Sequence, residues 1–184
     1  MKQTSTRRAL ITSLTLTLSL VAPAAVSAHA QREHLTPEEV ELVRDNQELE
    51  KRTGVFVKAV ERRMTALGVA QTAAPQKGEK ADKDAEKWGV LPPSTRAQLL
   101  QDIAKILDEA SLNIDDASIH AEKSSQIPKA LRRLAAACAR FLPQLTGLRE
   151  SVKDDAEREW LERAIETSQE VVEALAKLPP ETKK

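Results

Sequence analysis

Apolar residues recur every three or four positions along four long segments, and this spacing constrains the fold more than any other feature of the sequence. In the first segment Leu42, Leu49 and Phe56 repeat every seven residues, and Val60 and Leu67 continue the row. Such a row is typical of an amphipathic helix, with the seven-residue repeat of a coiled coil. Aromatic residues make up only 2% of the chain, which argues against a sheet because strands favour them. The sequence therefore predicts an all-α protein.

The first helix is predicted over residues 37–67. It begins with a capping box, because the Thr36 side chain can accept from backbone N–H groups while Glu39 reaches back to the Thr36 N–H. Asn46 interrupts the apolar row, and Gly54 costs about 1 kcal/mol relative to Ala in a helix. We nevertheless expect one continuous helix.

Three further helices are predicted over residues 95–123, 128–149 and 152–178. Their expected starts are Ser94 as a cap, Pro128 at the first helical position, and Ser151 with Asp154 as a cap. Short turns between them make consecutive helices antiparallel.

A linker is predicted between the first and second helices, over residues 69–87. Residues 72–87 contain no large apolar side chain, so they cannot bury enough surface to offset the entropy of ordering, and we expect them to be mobile. Trp88 and the residues after it are expected to hold the chain against the helices again. The simplest architecture is an up-down four-helix bundle with long helices. A pair of helical hairpins completed by dimerisation is the alternative.

The first 30 residues are predicted to be a signal peptide. A basic start precedes an apolar stretch over residues 9–22, which is shorter than the roughly 20 residues of a membrane-spanning helix. Small residues then allow cleavage after Ala30 or, as a close alternative, after Ala28. Arg7 and Arg8 partly resemble a twin-arginine signal, although ordinary export is favoured. We expect a periplasmic or secreted protein in which residues 31–184 form a single helical domain without a membrane span.

Asp116 and His120 are the predicted metal ligands. They are four residues apart, which places both on one face of a helix. Two ligands do not complete a site, and the Glu-x-x-His pattern of di-iron bundles is absent because residue 117 is Ala. The competing interpretation is a solvated helix face.

The sequence predicts no cofactor and no catalytic residue. It contains no Gly-rich phosphate loop, Ser-centred elbow or His-Glu-x-x-His motif, so we expect a non-enzyme. Cys138 falls on the apolar row of the third helix and is predicted to be a buried structural thiol. Met64 with His34 or His120 could ligate a haem, but Met64 lies among core residues, and a haem is not expected.

Basic residues concentrate on the first and third helices, as Lys58, Arg62, Arg63, Lys129, Arg132, Arg133 and Arg140. Residues 31–184 carry a net charge of about −3 and few aromatic residues that could stack on bases, so nucleic acid is not a predicted partner. A solvated face with pairs four residues apart is the simplest interpretation. Binding to an acidic protein or to anionic lipid headgroups is the alternative.

Two resemblances bear on function. Leu35-Thr36-Pro37-Glu38-Glu39 is similar to the Leu-Thr-x-x-Gln motif of small periplasmic stress chaperones, with Glu39 where that motif has Gln. This similarity implies an all-helical protein that binds unfolded clients as a dimer. From Leu35 to Pro179 the chain resembles an uncharacterised group of exported bacterial helical proteins, through stretches such as Trp88-Gly89 and Ile127-Pro128-Lys129-Ala130-Leu131. That resemblance implies the fold and export, and no activity.

These observations predict an exported, non-enzymatic helical bundle that acts by protein–protein contact, as a chaperone-like or envelope-associated protein. A protein partner or self-association is expected. The alternative is a periplasmic carrier that holds a small ligand or a metal in the bundle around Asp116 and His120.

Overall fold

A computed structural model describes residues 33–69, 85–120 and 124–178. These residues form five α-helices and two short 3-10 helices and contain no strand, which confirms the all-α class for the described part of the chain. The α-helices are α1 (Pro37–Asp45), α2 (Leu49–Ala66), α3 (Arg96–His120), α4 (Gln126–Gly147) and α5 (Asp155–Ala176), and the 3-10 helices are Ala85–Trp88 and Leu148–Ser151.

Several predictions fall on residues that are not described. The predicted signal peptide over residues 1–30 lies outside the described residues, and so does the predicted end of the second helix at residues 121–123. Of the predicted linker, residues 70–84 lie outside them, whereas the last four residues before Gly89 form the first 3-10 helix.

The prediction of one continuous helix over residues 37–67 is wrong, and the break is at Asn46 rather than at Gly54. The Asn46 backbone N–H and side-chain amide both donate to the Leu42 carbonyl, at 3.3 and 2.7 Å. A side chain that bonds the backbone locally competes with the helical ladder, so α1 ends here and α2 begins three residues later.

The predicted cap of α3 is also wrong by one residue. Thr95 Oγ1 accepts from the Gln98 N–H at 3.2 Å, and Gln98 Oε1 accepts from the Thr95 N–H at 2.9 Å. Together they form a capping box, which fixes the first helical residue at Arg96. The Ser94 hydroxyl instead donates to the Pro92 carbonyl.

The starts of the last two helices are shifted from their predicted positions. Helix α4 begins two residues before Pro128, which then occupies a first-turn position where its missing N–H has no intrahelical role. Helix α5 begins three residues later than predicted, because Asp154 alone caps it, accepting from the Glu157 N–H at 2.8 Å. Ser151 belongs to the preceding 3-10 helix.

Helix α2 lies between α3 and α4, and two pairs of contacts fix its directions. Arg63 contacts Asp102 while Arg52 contacts Asn113, so α2 and α3 run antiparallel. The side chain of Arg140 contacts Glu61, and seven residues earlier on each helix the Arg133 guanidinium lies against Gly54. Both pairs are 79 residues apart in sequence, so α2 and α4 run parallel.

Helix α5 lies beside α3 and α4, and its backbone does not come close to that of α2. Asp108 joins α3 to α5 through Thr167, at 2.7 Å, and through Arg163, at 3.2 Å. Consecutive helices α3 and α4 contact each other less extensively than either contacts α5. The simplest up-down bundle places every helix beside its neighbours in sequence. Helices α3 and α4 are neighbours in sequence, yet each packs more extensively against α5 than against the other.

One continuous core joins the apolar rows of the four longest helices. Its fully buried members include Phe56, Val60, Met64, Leu100, Ile103, Leu107, Leu134, Leu145, Leu161 and Ile165. Each such side chain contributes about 1.5 to 3 kcal/mol when it leaves water. Because the outward faces are polar, no helix among the described residues combines the length and the apolar content required to cross a membrane.

Candidate functional site

The predicted metal ligands lie on an exposed end of α3. Their side chains are 75% exposed at Asp116 and 72% exposed at His120, and His120 Nδ1 lies 3.4 Å from Asp116 Oδ1. His120 Nδ1 also lies 2.8 Å from the Asp116 backbone carbonyl. In the described part of the chain no third His, Cys, Asp or Glu joins them in a group that could hold a metal. The arrangement matches a solvated helix face.

An apolar cleft beside residues 114 and 115 of α3 does not include the predicted ligands. It encloses about 140 Å³ between α3, α4 and α5, and its lining includes Ile114, Leu131 and Val171. The cleft therefore gives the predicted pair no enclosed chamber in which to hold a ligand.

Cys138 and Met64 lie in the core, as the sequence predicts. Cys138 is fully buried and unpaired, and burial raises the pKa of its thiol to about 12, although Ser168 offers it a hydrogen bond. A thiol that stays protonated at neutral pH is a poor nucleophile. Met64 is 1% exposed, whereas His120 is on the surface and His34 Nε2 lies 2.6 Å from Glu109 Oε2.

The seven basic residues noted in the sequence belong to two separate environments. Arg62 and Arg63 turn toward α1 and α3, where they join a group that we call the buried ion cluster: Glu39, Arg62, Arg63 and Asp102. The other five line the cleft that we call the α2/α4 groove.

Arg63 is the centre of the buried ion cluster, and all five of its N–H donors have acceptors. Its Nε donates to Asp102 at 3.4 Å, and its two terminal nitrogens donate to both Glu39 oxygens at 2.9 and 2.8 Å. The remaining two donors reach the carbonyls of Ala59 and His34, at 2.9 and 2.6 Å. Complete hydrogen bonding is what makes a buried guanidinium tolerable.

Glu39 takes part both in the capping box of α1 and in the buried ion cluster. Its Oε2 accepts from the Thr36 N–H at 3.0 Å, and the Thr36 hydroxyl accepts from the Glu39 N–H at 3.2 Å, which confirms the predicted capping box. The same carboxylate accepts from both arginines. The acidic residue at the position where the chaperone motif has Gln thus supplies the negative charge that this arginine pair requires.

Arg62 extends the cluster to the chain that enters α3. Its NH2 donates to the Gly89 carbonyl at 2.7 Å, and its guanidinium lies 5.5 Å from the centre of the Trp88 ring. Gly89 has φ of +59°, and a β-carbon there would lie 2.8 Å from the Glu38 side chain. Trp88 therefore makes the predicted contact with the helical body, whereas Val90 is 90% exposed.

Two cations and two anions make the buried ion cluster neutral, and its central side chains are shielded from solvent. It ties α1, α2 and α3 together, so its role is structural. The sequence analysis missed it by assigning Arg63 to a solvated face. A signal was present, because Arg63 continues the Phe56, Val60 and Leu67 row at the spacing of three and four.

The α2/α4 groove is an open cleft of about 410 Å³. Its floor is built from Val57, Ala136 and Ala137, and its walls carry five cations and two carboxylates. These charged residues are Glu50, Lys58, Glu61, Lys129, Arg132, Arg133 and Arg140. The lining therefore has a formal charge of +3, although residues 31–184 as a whole are acidic.

Gly54 positions Arg133 on the wall of the groove. A β-carbon at residue 54 would lie 2.7 Å from two atoms of the Arg133 guanidinium. The absence of a side chain lets this guanidinium lie against α2. Gly54 was predicted only as a weak point in a helix, yet α2 continues through it and the glycine provides space for a cation.

Arg140 lies at the other end of the groove. Its NH2 donates to Glu61 Oε1 at 3.0 Å, while its buried Nε has no hydrogen-bond partner in the structure. One carboxylate thus leaves part of this guanidinium's hydrogen-bonding capacity unused. The residues that line the groove include no Ser, Cys or His, and its five cations can pair with negatively charged groups.

Comparison with known proteins supplies no relative for this chain, since no protein family, curated protein or solved structure matches it.

Proposed function

We propose that this protein is exported and acts without catalysis, by binding a partner protein through the α2/α4 groove. The observation that carries the proposal is the concentration of five cations around one cleft, although residues 31–184 carry a net charge of about −3. Like charges that gather on a surface repel each other and attract an oppositely charged partner.

The composition of the groove supports a protein partner. Arginine is enriched in protein interfaces because its planar guanidinium binds carboxylates in a bidentate way, and three of the five cations are arginines. The α2/α4 groove also has an apolar floor, which suits a partner with apolar side chains. Export follows from the predicted signal peptide. The body that presents the groove is proposed to be a four-helix arrangement in which the helices α2 to α5 alternate in direction.

Photo-crosslinking in cells tests this proposal. A photoreactive amino acid replaces Ala136, which is exposed on the groove floor, in the full chain expressed with its own signal. The matched control places it at Ala139, which is also exposed on α4 but does not line the groove. We expect a discrete protein adduct from Ala136 that disappears with Arg133→Glu, and none from Ala139.

Equal adducts from both positions, or no adduct from Ala136, would contradict the proposal. The same cells test export, because the intact mass of the processed chain should correspond to a start at residue 31 or residue 29. Recovery of the unprocessed chain from the cytoplasm alone would contradict export.

A further inference from the structure

We infer that the occupant of the α2/α4 groove is an acidic amphipathic helix of the partner protein, about three turns long. This inference rests on the proposed function and adds the chemistry and shape of the partner segment. It follows from the dimensions of the groove, the size of its floor residues and the placement of its charges.

The length of the groove sets the length of the occupant. On α2 its lining extends from Glu50 to Glu61, and on α4 from Lys129 to Arg140. Each wall thus advances eleven residues, or about 16 Å at 1.5 Å per residue, which is the length of three helical turns. The pairs Gly54–Arg133 and Glu61–Arg140 have the same sequence separation, so the two walls run in the same direction along the groove.

The floor fits the ridge of a third helix. Ala136 is exposed on the floor, while Ala137 and Val57 beside it are nearly covered, at 1% and 8% exposure. Small residues allow helix axes to approach closely, since the distance between packed helices depends on the side chains at the contact. An occupant with a narrow apolar row can therefore rest on the floor while its flanks face the walls.

The two walls differ in charge, and only the α4 wall requires carboxylates on the flank that faces it. The charged residues of the α4 wall are all cations, Lys129, Arg132, Arg133 and Arg140, whereas the α2 wall carries Lys58 between Glu50 and Glu61. Acidic side chains on one side of an apolar row would face Lys129 and Arg133, and the pairs would be partly shielded from water by the occupant itself. Charge complementarity of this kind steers association and fixes register.

The two glutamates favour a helix over a uniform polyanion. Glu50 and Glu61 lie toward opposite ends of the α2 wall. A polyphosphate chain or an anionic lipid surface would place negative charge against both and would leave the apolar floor unused. A peptide helix can place neutral or basic residues opposite the glutamates.

A binding titration with the full processed chain tests the inference. The probe is a fluorescent, end-capped peptide of about 15 residues, a length at which isolated helices are marginal in water. It has an alanine row, glutamates on the flank that faces α4, and one lysine near each end of the other flank. A scrambled peptide of identical composition, inorganic polyphosphate and phosphatidylglycerol vesicles are the comparison probes, and fluorescence anisotropy or vesicle co-sedimentation gives the affinities.

We expect the designed peptide to bind about tenfold or more tightly than the scrambled peptide, and Arg133→Glu to weaken it about tenfold or more. Lys129→Glu is a second, independent variant and should also weaken binding of the designed peptide. Arg158→Glu is the matched control, because Arg158 is exposed on the first turn of α5, outside the groove, and the change in charge is identical. It should leave the affinity unchanged.

Equal affinity for the designed and scrambled peptides would overturn the inference, as would Arg133-dependent binding of polyphosphate or vesicles without binding of the designed peptide. Mapping the Ala136 adduct separates this failure from failure of the proposed function. A captured segment that is neither acidic nor helical would remove only the inference, whereas the absence of any groove-specific adduct would remove both.

Discussion

Arg63 and Arg133 carry the same guanidinium in opposite settings. Arg63 is 1% exposed, and each of its five N–H donors has an acceptor. These acceptors lie in three different parts of the chain. Arg133 is exposed, and its guanidinium lies next to Gly54 of α2. The hydrogen bonds of Arg63 are all made within the fold, whereas the charge of Arg133 is exposed to solvent in the groove.

Helix α2 contributes residues to both settings, to the buried ion cluster that stabilises the fold and to the groove that is proposed to bind a partner. Its C-terminal half supplies the arginines of the buried ion cluster, where two carboxylates neutralise them. Its middle supplies Gly54 and Lys58 to the groove. Stability should therefore depend on the buried ion cluster and binding on the groove. A substitution at one site should have little effect on the property that depends on the other.

The largest effect is expected from Glu39→Ala. The change leaves the Arg63 guanidinium buried without its main counter-ion and also removes half of the capping box. Breaking a buried ion pair in this way lowers the free energy of unfolding by about 3 to 5 kcal/mol. Urea denaturation followed by circular dichroism measures the change.

Glu41→Ala is the control for that variant. Glu41 lies two residues away on α1 and pairs with Arg44 on the surface, with both side chains at least 60% exposed. Its removal should change the free energy of unfolding by less than about 1 kcal/mol. Similar losses for Glu39→Ala and Glu41→Ala would show that the buried ion cluster contributes no more than a surface pair.

A second effect concerns the pH response of the buried interior. Burial raises the pKa of the Cys138 thiol from 9.0 to about 12, so the unfolded chain loses this proton at lower pH than the folded chain. The resulting stability is fully present below pH 9 and is lost as pH rises toward about 12. The slope is about 1.4 kcal/mol per pH unit. Urea titrations from pH 8 to pH 11 on the natural chain and on Cys138→Ala measure it.

The difference between the two chains is the quantity to compare, since other groups titrate in both. Cys138→Ala should have lower stability at pH 8 and a flatter decline above pH 9. Parallel declines in the two chains would refute the assignment to Cys138.

Gly54→Ala should have a smaller and opposite effect on stability. Replacing a glycine inside a helix by alanine stabilises it by roughly 0.5 to 1 kcal/mol, and the nearest obstacle is the flexible end of Arg133. The guanidinium must move, so we expect binding of the designed acidic peptide to weaken by a few fold. Thermal denaturation and the anisotropy titration measure the two properties. A variant that loses stability and keeps its affinity would contradict the role assigned to Gly54.

Arg133→Ala should have the smallest effect on the fold. Exposed side chains away from buried networks change the free energy of unfolding by about 0.5 kcal/mol or less. Affinity for the designed peptide should nevertheless fall clearly, which separates Arg133 from Arg63. A stability loss of several kcal/mol would place Arg133 with the buried arginines and would erase the distinction between the two regions.

Local periodicity predicted the fold class and most of the core. The rows through Phe56 and Val60, and through Leu134 and Leu145, lie buried as their spacing indicates. The break at Asn46 was not predicted because it depends on a side chain that bonds a carbonyl four residues earlier, in competition with a helix that the apolar row favours.

The two charged sites could not be predicted completely because they depend on tertiary neighbours. Glu39 and Arg63 are 24 residues apart, and only the folding of α1 against α2 brings them together. The groove requires α2 and α4 to lie side by side and parallel, whereas short turns favoured consecutive helices as neighbours. The sequence therefore identified the basic residues of both sites and could not show that they form two separate groups.

Amide hydrogen exchange of the full processed chain, measured with and without the designed acidic peptide, tests the separation of the two regions most directly. We predict added protection in α2 around residues 54–61 and in α4 around residues 129–140, and no change in α1 or in residues 155–176 of α5. Protection spread over α1 and the buried ion cluster, or confined to α3 and α5, would contradict the account.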